Sequence, residues 1–165
     1  PDGDSYPEAT LLKMKVEGKK TKSLAIATKM PNLHDYRDDS VSFRRRIVFS
    51  ENAALNQFFI NNRQFIPDSI DMRIKLGSLE EWELVNNSNE MHVFHIHQLD
   101  YQVTEMNGRP LDFDGYQDVL NMPPKSTIKI LVPFTEEYMV GKYVFHCHII
   151  AHEDRGMMQV IEVYK

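Results

Sequence analysis

The sequence predicts an all-β sandwich. Short apolar or alternating runs recur along most of the chain, each too brief for a globular helix. Turn-forming pairs separate them, at Asn61-Asn62, Gly77-Ser78 and Asn107-Gly108. The long helical patterns that join parallel strands in a βαβ protein are missing.

Taken in order, Leu11 to Val16 alternates weakly and is expected to form a strand, followed by a basic turn over Gly18 to Lys22. Met30 to Ser40 is charged, contains proline and lacks a pattern, which predicts a linker. Arg46-Ile47-Val48-Phe49 and Phe58-Phe59-Ile60 read as strands. Arg73 to Leu76 and Trp82 to Val85, joined across Gly77-Ser78, read as neighbours in a meander. Tyr101 to Thr104 runs to the tight turn at Asn107-Gly108. Thr127 to Val132, Tyr143 to Phe145 and Met158 to Val163 complete the set. One strand and a linker cannot bury a core, so residues 1–40 are expected to end a preceding domain, with a compact domain over 41–165.

Composition narrows the functional classes. The chain has 165 residues, 42% of them hydrophobic, and a formal net charge of -5, which supports a core and argues against a nucleic-acid partner. No apolar run approaches the roughly 18 residues of a membrane span. The start, Pro1-Asp2-Gly3-Asp4, is polar and lacks the basic region of a signal peptide. A single cysteine rules out an internal disulfide and leaves the redox compartment open. Asn86-Asn87-Ser88 matches a glycosylation sequon, a pattern with frequent chance matches.

The chemistry is concentrated in two windows that hold six of the seven histidines. One is His92-Val-Phe-His95-Ile-His97. The other is His146-Cys147-His148, followed by His152 and Met157. On an extended backbone side chains alternate between faces. His146 and His148 then point opposite to Cys147, and His95 and His97 point opposite to His92. The simplest pairing sets His92 with Cys147, and His95 and His97 with His146 and His148. The first site gains His152, at the spacing of one helical turn from His148, and Met157, which Gly156 lets the chain present. Two imidazoles, a thiolate and an axial thioether describe a blue-copper electron-transfer centre. The other four histidines could close around one copper or form half of a multinuclear shell. Parity does not choose between these. Zinc also accepts histidine and cysteine, but the methionine and the two-site geometry favour copper.

These two segments, the second continuing His148-Ile-Ile-Ala-His152-Glu153-Asp154-Arg-Gly156-Met157-Met158, resemble the last two copper motifs of multicopper oxidases, the family of laccases, cuprous oxidases and ferroxidases. The likeness covers roughly Val41 to Lys165 and implies a C-terminal cupredoxin domain, a Greek-key β-sandwich. The resemblance implies that His92, Cys147, His152 and Met157 hold a type 1 copper, His95 a type 2 copper, and His97, His146 and His148 a type 3 pair. It makes Cys147 the electron relay and Glu153 the residue that delivers protons to dioxygen. Family members complete the trinuclear cluster with His-X-His motifs of an N-terminal domain. This chain has no further His-X-His, so a nicked partner chain or separate subunit is expected to supply them. Val93 and Gln98 stand where the family often has proline and glycine. Family habit favours a periplasmic or secreted location.

The expected function is oxidation of a small reducing substrate, a phenol or a metal ion, by one-electron steps, coupled to reduction of dioxygen to water. The substrate is expected at an imidazole edge of His92 or His152. A stand-alone cupredoxin carrier would not need His95, His97, His146 and His148. A copper nitrite reductase would not need a histidine on both sides of the cysteine. The bland expectations are a solvated His34, a surface or helix-capping role for Glu153, an edge or interdomain charge patch at Arg44-Arg45-Arg46, a core Trp82, and core filling for most of the nine methionines.

Overall fold

A computed structural model of the chain describes residues 9–23 and 33–165. Eleven strands form two sheets. The first sheet contains β1 (Phe43–Asn52), β2 (Gln57–Ile60), β4 (Ser78–Asn86), β6 (Gln102–Met106), β7 (Arg109–Pro110) and β9 (Thr127–Phe134), in the order β2-β1-β4-β9-β6-β7. The second contains β3 (Met72–Lys75), β5 (His92–Ile96), β8 (Val119–Met122), β10 (Gly141–Cys147) and β11 (Met158–Tyr164), in the order β3-β11-β10-β5-β8.

Alternation along the strands makes the sandwich. Ile47 and Phe49 of β1, Trp82 and Leu84 of β4, and Ile128, Ile130 and Val132 of β9 are buried from one sheet. Ile74, Phe94, Ile96, Phe145, Ile161 and Val163 are buried from the other, and all belong to one core. Trp82 is indeed core. Asn107 and Gly108 have φ of 51° and 76°, the left-handed pair of a tight hairpin between β6 and β7.

Several sequence expectations are corrected. Leu11 to Val16 forms no strand, and Leu11, Leu12, Met14 and Val16 are exposed. β3 and β4 are not meander neighbours, because they lie in different sheets. β3 pairs in parallel with β11, while β4 pairs in parallel with β1. The Gly77-Ser78 turn therefore crosses between layers. The parallel pairing of β1 with β4 also explains Arg44-Arg45-Arg46. Arg44 bonds Glu81 at 3.0 Å, Arg46 bonds Glu83 at 2.9 Å, and Arg45 reaches buried Glu80 at 2.6 Å. Glu80 accepts a second bond from Trp82 Nε1 at 2.8 Å. The middle arginine thus neutralises a buried charge that also positions the core indole.

Of the expected linker, residues 30–32 lie outside the described residues. The part that follows is anchored to the sandwich. A 3-10 turn over Tyr36–Asp38 is held by buried Gln102, whose Nε2 donates to Asp35 Oδ1 at 2.7 Å and whose Oε1 accepts from Tyr36 N at 2.9 Å. His34 is paired rather than simply solvated. Its Nε2 lies 2.8 Å from Asp39, and its carbonyl accepts the Tyr116 hydroxyl.

Candidate metal centres

β5 and β10 are adjacent and antiparallel, and their register builds both clusters. His95 lies opposite His146, and Phe94 lies opposite Cys147. His92, Phe94 and Ile96 alternate inward on β5, as do Tyr143, Phe145 and Cys147 on β10. Cys147 and His92 therefore enter the core side of the sheet, while His95, His97, His146 and His148 gather on its other face. The short helix α1 (Ile150–Glu153) follows and returns His152 to the core side.

On that side three donor atoms converge. His92 Nδ1 and His152 Nδ1 are 3.2 Å apart, and Cys147 Sγ lies 3.8 Å from the first and 3.5 Å from the second. The surrounding bonds fix which nitrogens carry protons. Asn86 Nδ2 donates to the carbonyls of Glu90, Met122 and Pro123, so its Oδ1 is an acceptor. The Ser88 hydroxyl donates to Asn86 Oδ1 at 2.5 Å and accepts His92 Nε2–H at 2.6 Å. The outer nitrogen of His152, Nε2, faces the Glu90 carboxylate at 3.3 Å. Both Nδ1 atoms are thereby left as lone pairs aimed at one another and at sulfur. A cation resolves that confrontation, and donors at these separations suit one ion about 2 Å from each. Asn86 is buried with its amide fully engaged, so the sequon is not a glycosylation site in the folded chain.

Met157 is buried beside this site, where its carbonyl accepts the Cys147 N–H at 3.0 Å. The turn that presents it needs glycine. Gly156 has φ of 88°, and a Cβ there would stand 3.2 Å from Gln64 Cβ and from Phe65 N. Phe58 of β2 stacks on His152 with ring centroids 4.0 Å apart. The imidazole edge expected at the surface is consequently absent among the described residues, because His92 is 0% and His152 1% exposed.

On the opposite face His97 Nε2 and His146 Nε2 face each other at 3.1 Å. His146 Nδ1 donates to the Cys147 carbonyl at 3.1 Å and also lies 3.2 Å from Glu153 Oε2. His95 Nδ1 donates to the Asp118 carbonyl at 2.8 Å. The His95 ring is 5.4 Å from that of His146 and 5.1 Å from that of His148. Four imidazoles thus surround one point on a partly open face, bordered by an apolar groove of about 740 Å³ that runs from Met91 and Val93 to Ile149 and Ile150. Gln98 adopts φ of 69°, which accounts for the glycine common at this position in the family and costs about 1 kcal/mol for a side chain.

Burial keeps these groups in their neutral forms. It drives the His92 imidazole down to about 3, helped by the neighbouring His152, and it also lowers His97 and His146. It pushes the Cys147 thiol up to about 11, so a metal must displace a proton there. A folded imidazole held near 3 binds fewer protons than its unfolded counterpart at about 6.5. Stability from this source is complete above pH 6.5 and is lost as pH falls toward 3. The metal-free protein is expected to lose up to about 1.4 kcal/mol per pH unit through this group in that window, measured as a falling urea midpoint. A midpoint flat between pH 6.5 and 4 would contradict the buried neutral His92.

An all-β sandwich carrying a two-histidine, one-cysteine pocket beside a histidine cluster defines a cupredoxin-type copper domain. Residues 27–165 match the family model described as multicopper oxidase, and the chain belongs to the multicopper oxidase family. It is 35% identical to the multicopper oxidase mco of Staphylococcus haemolyticus, across 90% of this chain and 33% of that protein. It is 26% identical to a Bacillus subtilis laccase, across 92% of this chain and 32% of that one. Among solved structures, a laccase from Pediococcus acidilactici superimposes with a TM-score of 0.77 at 27% identity, covering 88% of this chain and 32% of that one. A Campylobacter jejuni multicopper oxidase, a metallo-oxidase, gives 0.72 at 26% identity, over 81% and 32%. The chain therefore spans about a third of the length of these relatives, whose family uses type 1, type 2 and type 3 copper.

Sequence reasoning had named all eight donor residues but not the groups that orient them. Ser88, Asn86, Glu90, Phe58 and the Asp118 carbonyl were missed. Ser88 and Glu90 do precede His92 closely, but nothing in the sequence marks Phe58.

Proposed function

We propose that this chain is the C-terminal part of a copper oxidase that takes single electrons from a small reducing substrate and reduces dioxygen to water. The observation that carries this reading is the split across β10. Cys147 enters one cluster, while its immediate neighbours His146 and His148 enter the other, so one short piece of backbone joins the two. His92, Cys147, His152 and Met157 hold the type 1 ion. His95 serves the type 2 ion, and His97, His146 and His148 serve the type 3 pair. Copper supplies one-electron redox and dioxygen chemistry when bound.

The chain's own residues do the rest. Ser88 and Glu90 fix the tautomers of His92 and His152, so no reorientation accompanies electron transfer. Core packing excludes water from the thiolate. Cys147 conducts the electron outward along the backbone to His146 and His148. Glu153 Oε2, 3.2 Å from His146 Nδ1 and partly open to solvent, holds a proton at the cluster's rim.

Residues 1–40 belong to the end of a preceding domain and its linker, and 41–165 form the C-terminal domain. The exposed apolar side chains from Leu11 to Val16 are suited to burial against that missing part, and the anchored turn over Tyr36–Asp38 sets where the linker leaves the sandwich. The open histidine face and its groove receive the N-terminal part, which brings the remaining cluster ligands. Copper-loaded preparations test this. The chain should show the thiolate-to-copper band near about 600 nm and no oxygen uptake. Uptake, with a near-ultraviolet shoulder from a bridged copper pair, should appear only with the missing polypeptide. Oxygen consumption by the 165-residue chain alone would refute the shared cluster.

A further inference from the structure

We propose that Glu90 is the docking residue through which a small cationic one-electron donor reaches His152. The inference rests on the type 1 reading of His92, Cys147 and His152, and it names the class of reducing substrate. The two imidazoles differ in what lies behind them. The outer nitrogen of His92 leads to Ser88 and Asn86, which are neutral and buried, so that side is a dead end. The outer nitrogen of His152 leads to a carboxylate that is 12% exposed. Phe58 covers the face of the His152 ring, and a donor cannot stack there.

Glu90 is also fixed in place, because its carbonyl accepts from Asn86 Nδ2 at 2.8 Å. A second carboxylate stands nearby, with Glu51 Oε1 accepting from Asn89 N at 3.4 Å. The one cation of this rim is Arg155, whose guanidinium lies 5.9 Å from the Phe58 ring and limits how far the negative patch extends. A cationic donor is attracted to Glu90, and an anionic one is repelled. The donor gives up one electron, which passes along the carboxylate–imidazole hydrogen bond to the cupric ion held by His152. No covalent bond forms or breaks, and the donor leaves one charge more positive.

The test is anaerobic stopped-flow bleaching of the blue band in the copper-loaded whole enzyme, with hexaammineruthenium(II) as cationic and hexacyanoferrate(II) as anionic reductant. At low ionic strength Glu90→Gln should slow the cation about tenfold and leave the anion unchanged or faster, and Glu90→Asp should recover most of the loss. A changed copper potential moves both rates together, so the ratio of the two rates isolates docking. In the unaltered enzyme, added salt should slow the cation and speed the anion. An unchanged ratio in Glu90→Gln, or a cation rate insensitive to salt, would overturn the proposal. An unaltered enzyme lacking the blue band would instead defeat the type 1 assignment, a failure visible before any rate is measured.

Discussion

Replacing Cys147 by serine is expected to remove the blue band and to reduce substrate oxidation to background, a loss of three orders of magnitude or more, on the order of 4 kcal/mol in effective barrier. Sulfur is the only atom in the site that offers strong covalency to copper. A serine hydroxyl keeps its proton at any physiological pH and is a hard, weak donor. The fold should survive. The new hydroxyl would lie near two imidazole lone pairs, His152 Nδ1 at 3.5 Å and His92 Nδ1 at 3.8 Å from the present sulfur, and can donate to one of them. That bond offsets most of the cost of burying a hydroxyl, leaving a stability change near 1 kcal/mol. The other cluster lies across the sheet and should still load copper. Copper content, the visible spectrum and thermal unfolding together separate a lost electron entry from a lost fold. A blue variant, or one that still oxidises substrate, would remove Cys147 from the pathway.

What could be read from the sequence follows from the range of each interaction. The division of histidines between two faces depends only on strand parity, a local property, and the structure places all six accordingly. The Asn107-Gly108 hairpin is equally local. Strand pairing is not. Phe43 lies opposite Glu80 in the β1–β4 pair, and Ile161 lies opposite Met72 in the β11–β3 pair. Nothing near either strand announces the partner. The meander expected at Gly77-Ser78 failed for that reason, and β8 went unnoticed because Val119 to Met122 is short and only Met122 is buried. The Leu11 to Val16 run shows the converse, since a strand pattern without a pairing edge among the described residues forms no strand. At the copper site the ligands were visible as types and spacings, while the second nitrogens of His92 and His152 find Ser88 and Glu90 only after folding. The expectation of an exposed imidazole edge failed there, on Phe58 from a distant hairpin.

Truncating Phe94 to alanine should be the most damaging change away from the ligands. Its ring is fully buried between the sheets and meets four aromatic neighbours, Phe49, Trp82, Tyr101 and Phe145, at centroid distances of 6.2, 6.4, 5.4 and 5.9 Å. Removing it costs about 3–5 kcal/mol, because the surrounding rings are held by both sheets and cannot all collapse inward. Against a total stability of roughly 5–15 kcal/mol this is a large share, and unfolding should fall by about 10 °C or more. The position gives the loss a functional consequence. Phe94 pairs with Cys147 across β5 and β10, and His92 and His95 sit two residues before it and one after. A slackened β5 disturbs both clusters together, so copper should be lost from the type 1 and histidine sites in parallel. Because copper binds the folded state, added metal should recover part of the unfolding temperature. Phe94→Leu keeps most of the volume and should cost less than half as much. A melting shift below about 3 °C for Phe94→Ala, or loss of one cluster with the other intact, would show that β5 does not hold the two sites as a unit.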